Sequence, residues 1–177
     1  ALKETSRFSP KEIREYLQER GILEDQFLRH VYRPMDLRWI YYEPETRLLG
    51  EKSPDYPPHV FNGNHFLATS QRSRKGFNPP CVAESLMSLH VVEYSASCFP
   101  IYLDPEVGGE DLFSQPSADG GDSEPIPNLS DDAKEYLDAV GGTVETLFYH
   151  ATATMHAPTY RLENEGALRD DWPRVPL

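Results

Sequence analysis

Prolines are spread along almost the whole chain and restrict it to short secondary-structure elements. Of its 177 residues, 16 are proline, well above the average of about 5%. A proline ends or bends a helix and cannot donate a hydrogen bond within a sheet. The sequence therefore favours many short elements and long loops over a helical bundle. No stretch approaches the roughly 20 apolar residues of a membrane-spanning helix, so none is predicted.

The first two thirds of the chain show strand patterns after one short helix. Ser9-Pro10 is a typical helix start, and Gly21 is a typical helix end. Apolar alternation predicts a strand at 27–31, and an aromatic, β-branched run predicts a second at 39–42, with a turn between them. Further short strands are predicted at 65–70, 81–83, 89–93 and 98–103.

The last quarter, 129–177, is predicted to form a helical subregion of one single domain, 1–177. One helix is expected from Ser130 to about Val140, and a second from about Val144 to Met155. The fold class is therefore α+β, with short, mostly antiparallel strands followed by helices. The expected core consists of Trp39, Ile40, Tyr42, Phe99, Ile101, Leu147, Phe148 and Met155.

The net charge of −12 is distributed unevenly. Residues 29–75 carry eight basic and five acidic side chains, whereas 76–177 carry four basic and eighteen acidic ones. The segment 104–128 has seven acidic residues and no lysine or arginine, so we expect a flexible acidic loop there. Because an acidic chain is a poor partner for nucleic acid overall, any DNA contact is expected in 29–75.

A short basic stretch, 71–75, is the candidate binding segment. Its sequence is Gln-Arg-Ser-Arg-Lys, and Gly76 follows. Arginine can read guanine edges, asparagine and glutamine can read adenine edges, and cations neutralise phosphates. The alternative is an exposed, solvated loop. With two asparagines just upstream, the predicted DNA-binding residues are Asn62, Asn64, Gln71, Arg72, Ser73, Arg74 and Lys75.

The sequence gives little support for a catalytic or metal site. The segment 78–80, Asn-Pro-Pro, is similar to the loop that holds the target base in amino-methyltransferases, but Cys81 replaces the aromatic ring that stacks on that base. A proline-rich turn is therefore the favoured interpretation. His150 and His156 are six residues apart, so they do not share the helix face that a metal pair needs. We predict no catalytic residue, cofactor site or metal site.

Residues 32–42, YRPMDLRWIYY, resemble a family block. The block Y-R-P-F-D-x-R-W-x-Y-Y occurs in the C-terminal part of type ISP restriction–modification enzymes, and Met35 stands where phenylalanine is usual. Three later segments are similar to further blocks of that family: 98–103 (CFPIYL), 128–130 (NLS) and the end of the chain, 147–177.

The resemblance implies a target-recognition domain that binds double-stranded DNA and presents it to an N6-adenine methyltransferase domain upstream of Ala1. It implies that this piece is not catalytic alone and holds no cofactor, whereas the whole enzyme uses S-adenosylmethionine and, if it also cleaves DNA, ATP and Mg²⁺. The two cysteines, Cys81 and Cys98, cannot form a disulfide framework, so a reducing, cytoplasmic location is expected.

Blocks shared by enzymes with different targets are expected to form scaffold rather than to read bases. We therefore expect a buried or half-buried ion network of Arg33, Asp36 and Arg38 beside Trp39, with base readout in 62–75. Two other functions stay open. One is a scaffold that docks the enzyme's domains without binding DNA, which the charge of −12 favours. The other is part of a methyltransferase catalytic domain, built around 78–80.

Overall fold

The computed structural model describes most of the chain. Residues 106–123, which include most of the acidic segment, lie outside the described residues, as do Arg74 and Lys75. The described residues are 4–5, 8–43, 48–49, 56–73, 76–92, 95–105 and 124–177.

The first sheet is a hairpin with one added strand. Strands β1 (Phe27–Arg33) and β2 (Asp36–Tyr41) pair antiparallel. Met35, in the turn between them, has a φ of 68°. The short strand β5 (Leu86–Met87) pairs with β1 in parallel at His30 and Val31, so that β2 is an edge strand. Both strands predicted here are confirmed, and the second begins three residues earlier than expected.

The second sheet has β3 (Phe66–Thr69) at its centre, with β4 (Cys81–Ala83) and β6 (Ser97–Pro100) antiparallel on either side. The predicted strand at 98–103 is divided, because β6 ends at Pro100 and β7 (Tyr102–Leu103) pairs instead with β8 (Ile126–Pro127). The predicted strand at 89–93 is wrong over its described part, since 89–92 form a turn and a bend after β5.

The C-terminal part is helical, as predicted, and the fold is α+β. Ser130 caps α2 by accepting a hydrogen bond from the Ala133 amide at 3.3 Å. Thr143 caps α3 by accepting from the Thr146 amide at 3.2 Å. The helices are α1 (Pro10–Arg20), α2 (Asp131–Val140), α3 (Val144–His156), α4 (Pro158–Glu163) and α5 (Glu165–Asp170). Within the described ranges, no helix has the length and apolar character needed to cross a membrane.

The main core lies where the two sheets meet. Phe66 and Ala68 of β3 are completely buried and pack with Val31 of β1 and Met87 of β5. The edge of the Tyr56 ring contacts the Phe66 ring, with 4.7 Å between centroids. The central strand of one sheet and the inner face of the other therefore form one apolar cluster.

The predicted core is correct in part. Tyr42, Ile101 and Met155 are buried, and three other predicted residues are half-buried: Ile40, Leu147 and Phe148. Two are wrong, since Trp39 is 63% exposed and Phe99 is 40% exposed. Trp39 lies on β2, the edge strand of the sheet β2-β1-β5 among the described residues. Phe99 makes an edge-to-face ring contact with Trp172 of the C-terminal tail.

Candidate nucleic-acid interface

The basic loop that follows β3 is anchored by a buried serine. The amide of Gly76 donates a 3.0 Å hydrogen bond to the hydroxyl of Ser73, which in turn donates to the Gly76 carbonyl. The amide of Ser73 donates to the carbonyl of Arg169 at 3.3 Å. Gly76 has a φ of 135°, which glycine adopts without strain. Ser73, predicted to contact DNA, therefore shapes this loop and ties it to α5.

Gln71 and Arg72 are the exposed residues of the loop's described part. The Gln71 amide donates a long, 3.4 Å hydrogen bond to the carboxylate of Asp171. The Trp172 amide and then Gln71 hold the pKa of Asp171 below its usual range, with smaller contributions from Arg174 and Arg72. Asp171 therefore stays charged and holds cations near the loop. Arg74 and Lys75, the other predicted cations, lie outside the described residues.

Two arginines from the far end of the chain lie beside this loop. Arg169 is exposed and belongs to the helix end that Ser73 contacts. Arg174 has a 91% exposed side chain, and its guanidinium lies 3.7 Å from Asp171. We call Arg72, Arg169 and Arg174 the arginine cluster. The last two were not predicted from the sequence because they lie in the acidic part of the chain, although both lie within 147–177, which resembles the end of the family.

The two asparagines that precede β3 differ completely in environment. Asn62 is exposed at a turn, whereas Asn64 is fully buried. The Asn64 amide donates to the carbonyls of His59 and Tyr102 at 2.7 and 2.9 Å, and its oxygen accepts from the Tyr102 amide at 3.1 Å. Asn64 thus joins the His59 segment to β7 inside the fold and has no exposed surface to offer DNA, whereas Asn62 has.

One ion pair of the buried or half-buried network expected in the hairpin is present. Arg38 and Asp36 form a two-pronged pair, with 2.6 Å between Nη2 and Oδ2, and their side chains are 56% and 39% exposed. This contact lowers the pKa of Asp36. Arg33 instead donates to the carbonyl of His90. Trp39 lies beneath the guanidinium of another arginine, Arg29, at 5.0 Å.

The other candidate sites have structural roles in the described residues. His156 Nε2 lies 3.0 Å from the carbonyl of Pro80, which ties the segment 78–80 to α3. His150 Nε2 lies 2.8 Å from the carbonyl of Pro176. Burial raises the pKa of both cysteine thiols, to about 11 for Cys98, so neither is activated as a nucleophile. No cluster of metal-binding side chains occurs within the described part of the chain.

Several solved structures have a similar fold, and three of them are complexes with DNA or a DNA mimic. A cryo-EM structure of a DrdV–DNA complex matches 88% of this chain at 23% identity, with a TM-score of 0.63. The ATP-dependent Type ISP restriction–modification enzyme LlaBIII bound to DNA matches 99% at 15% identity, with a TM-score of 0.68. A nuclease-deletion mutant of the Type ISP enzyme LlaGI, in complex with a DNA substrate mimic, matches 89% at 16% identity, with a TM-score of 0.56.

These similarities concern a small part of each relative. The chain spans 14% of the DrdV chain, 11% of the LlaBIII chain and 12% of the LlaGI chain. At these identities the matches show a shared fold. No curated protein sequence matches the chain. A sequence profile described as the Type ISP C-terminal specificity domain matches residues 3–177, and the chain therefore belongs to the Type ISP C-terminal specificity domain family.

Proposed function

We propose that this chain is the DNA sequence-recognition module of a single-chain restriction–modification enzyme. The arginine cluster is the observation that carries this proposal. In a chain with a net charge of −12, the fold brings the basic loop to a segment about 100 residues away: Arg72 and Arg174 both act on Asp171, and the backbone carbonyl of Arg169 accepts from Ser73. Phosphates are the partners that such a cluster attracts most strongly. Family membership and the DNA-bound relatives support this assignment.

The residues have different roles in the proposed complex. Gln71 and Arg72 project from the loop and are the candidates for reading base edges in the major groove. Asn62 is a further candidate, because its side chain is exposed. Arg169 and Arg174 neutralise phosphates beside the same loop. Arg74 and Lys75 complete the proposed contact surface. Ser73 and Asn64 act indirectly, by fixing the shape of the loops that carry the contacts.

The chemistry of the proposed enzyme is assigned to other parts of the protein. The described residues contain no glycine-rich turn from a strand into a helix, of the kind that cradles nucleotide-like cofactors. In this proposal no methyl-transfer step is assigned to this chain. In this proposal the chain holds the duplex while an N6-adenine methyltransferase domain of the same protein modifies it. ATP and Mg²⁺ would be needed only by DNA cleavage elsewhere in the protein.

The test is DNA binding by the intact protein at several salt concentrations. Arg72→Ala and Arg174→Ala should each weaken binding, and each should flatten the salt dependence by about one unit of slope if the arginine contacts a phosphate. If Arg72 reads a guanine with two hydrogen bonds, its loss should instead cost about 1–3 kcal/mol and relax the preference at one base pair. The same measurements apply to Arg74→Ala and Lys75→Ala.

Lys134→Ala is the matched control, since it removes one half-exposed cation of α2 that belongs neither to the loop nor to the arginine cluster. It should leave affinity and salt dependence unchanged. An intact protein that binds no duplex would contradict the proposed function and would favour the scaffold alternative. Unchanged binding in all four loop and tail variants would show that the recognition surface lies elsewhere.

A further inference from the structure

The hairpin carries a second concentration of positive charge. Residues 27–41 contain three arginines and one acidic residue, Asp36. Each arginine lies over an aromatic ring: Arg29 is 5.0 Å from Trp39, and both Arg33 and Arg38 lie over Tyr32, at 5.1 and 4.1 Å. The hairpin is therefore a cationic ribbon within an acidic chain.

Stacking on a ring prepares these guanidinium groups for an anionic partner. The rings are themselves exposed, 39% for Tyr32 and 63% for Trp39. A guanidinium that rests on a ring has lost much of its side-chain freedom, yet its N–H edge still faces outward. The entropy lost on binding an anion is therefore smaller than for a free arginine.

The hydrogen bonds already present indicate which part of DNA the ribbon fits. Reading a guanine requires two free N–H groups of one arginine. Arg33 already donates one to the His90 carbonyl, and Arg38 donates Nε and Nη2 to Asp36. The Nε–Nη2 edge of Arg38 is therefore occupied, and the remaining N–H groups of both arginines can donate to phosphate oxygens.

We infer that the hairpin, residues 27–41, contacts the phosphate backbone of duplex DNA and adds affinity that does not depend on base sequence. This inference rests on the proposed function. It gives two surfaces different roles: the basic loop reads bases while Arg169 and Arg174 hold phosphates beside it, and the hairpin strengthens binding to any duplex.

The experiment measures binding of the intact protein to its target duplex and to an unrelated duplex of equal length, over a series of salt concentrations. The double variant Arg29→Gln/Arg38→Gln should lose affinity for both duplexes by the same factor. Its salt dependence should flatten by about two units of slope. Arg29→Lys/Arg38→Lys keeps both charges and should restore the slope, which excludes a folding defect as the cause.

Lys11→Gln/Lys134→Gln is the matched control, because it removes two exposed cations from helices α1 and α2 and should leave binding unchanged.

If the wild-type protein binds DNA and the arginine double variant keeps its affinity and slope, the hairpin inference is overturned while the proposed function stands. A loss confined to the target duplex would also overturn it, since the hairpin would then read bases. The hairpin inference would also be overturned if the arginine double variant bound DNA as the wild type does but its own domains associated more weakly. Failure of the wild-type protein to bind either duplex would overturn the proposed function itself.

Discussion

The hairpin β1–β2 and the sheet β4-β3-β6 consist of similar short antiparallel strands but occupy opposite environments. In β3, Phe66 and Ala68 are completely buried, because strands flank β3 on both sides and the hairpin sheet packs against it. In β2, Trp39 is 63% exposed, because β2 is an edge strand. The difference teaches that an aromatic, β-branched pattern predicts a strand, whereas burial depends on what packs against that strand.

The aromatic rings of the two regions also find different partners. Phe66 packs against the edge of Tyr56 inside the core. Tyr32 and Trp39 of the hairpin are partly covered by arginines of the hairpin itself. A cation over an exposed ring contributes only about 0.5–1 kcal/mol, so these contacts shape a surface more than they stabilise the fold. We expect stability to depend on the sheet and DNA affinity on the hairpin.

The largest expected effect on stability comes from the buried ring. Phe66→Ala should lower the free energy of unfolding by about 3–5 kcal/mol, because it leaves a cavity in the core. Trp39→Ala removes a larger ring from the hairpin but should cost less than about 1 kcal/mol, as exposed sites usually do. Urea denaturation of both variants makes the comparison. Equal losses would show that the hairpin ring is part of the core.

The elements of this fold could largely be predicted from local sequence. The caps at Ser130 and Thr143 and the stop at Gly21 depend on near neighbours, and the positions of α1, α2 and α3 were correct for that reason. The helices α4 and α5 were not predicted individually. Burial was harder to predict, because Trp39 shows the same pattern as a core residue. To predict that Trp39 is exposed, one must know that β2 is an edge strand.

The candidate site could be predicted only in part, because half of it comes from a distant segment. Arg72 was identified from the basic loop, but Arg169 and Arg174 reach that loop through backbone and Asp171 contacts about 100 residues apart. No local pattern indicates such a contact. Asn64 is a second example, because the sequence does not distinguish it from Asn62. In the fold, Asn64 is buried and hydrogen-bonded to Tyr102.

These two asparagines provide the next test of interior against surface. Asn64→Ala should cost about 1–3 kcal/mol or more, because it leaves buried backbone groups of His59 and Tyr102 without their partner. Asn62→Ala, two residues away on the exposed turn, should leave the urea midpoint nearly unchanged. If both variants were equally stable, the hydrogen bonds of Asn64 would contribute nothing beyond those it makes with water when unfolded.

A polar contact between β7 and α3 should give a smaller and pH-dependent effect. The Tyr102 hydroxyl donates to Glu145, which lowers the pKa of that carboxyl and raises the pKa of Tyr102 to about 12. The folded state thus favours the charged carboxylate, so the contact stabilises above the ordinary pKa near 4.5 and is lost as the pH falls through the lower folded value.

Tyr102→Phe removes this contact and keeps the ring. Glu145 is half-buried and makes a single such contact with Tyr102, so we expect a loss of about 1 kcal/mol near pH 7. The loss should shrink as the pH is lowered from about 5 to about 3. Urea midpoints of the variant and the wild type at each pH provide the measurement. A difference that stays constant with pH would mean that the ring, and not the carboxylate contact, accounts for the loss.

The smallest expected change in stability is at the hairpin's own ion pair. Asp36 and Arg38 are both exposed, and such surface pairs contribute little to folding, so Asp36→Asn should leave the urea midpoint unchanged. It also frees Nε and Nη2 of Arg38 and raises the charge of the hairpin by one. If the hairpin lies on phosphates, affinity for target and unrelated duplexes should rise equally, and the salt dependence should steepen by about one unit.

Asp131→Asn makes the same change of charge in α2, where Asp131 pairs with Lys134, and should leave DNA binding unaltered. Weaker binding by Asp36→Asn would contradict phosphate contact by the hairpin. An equal gain in the Asp131 variant would also contradict a specific role for the hairpin, because the effect would then follow net charge and not position.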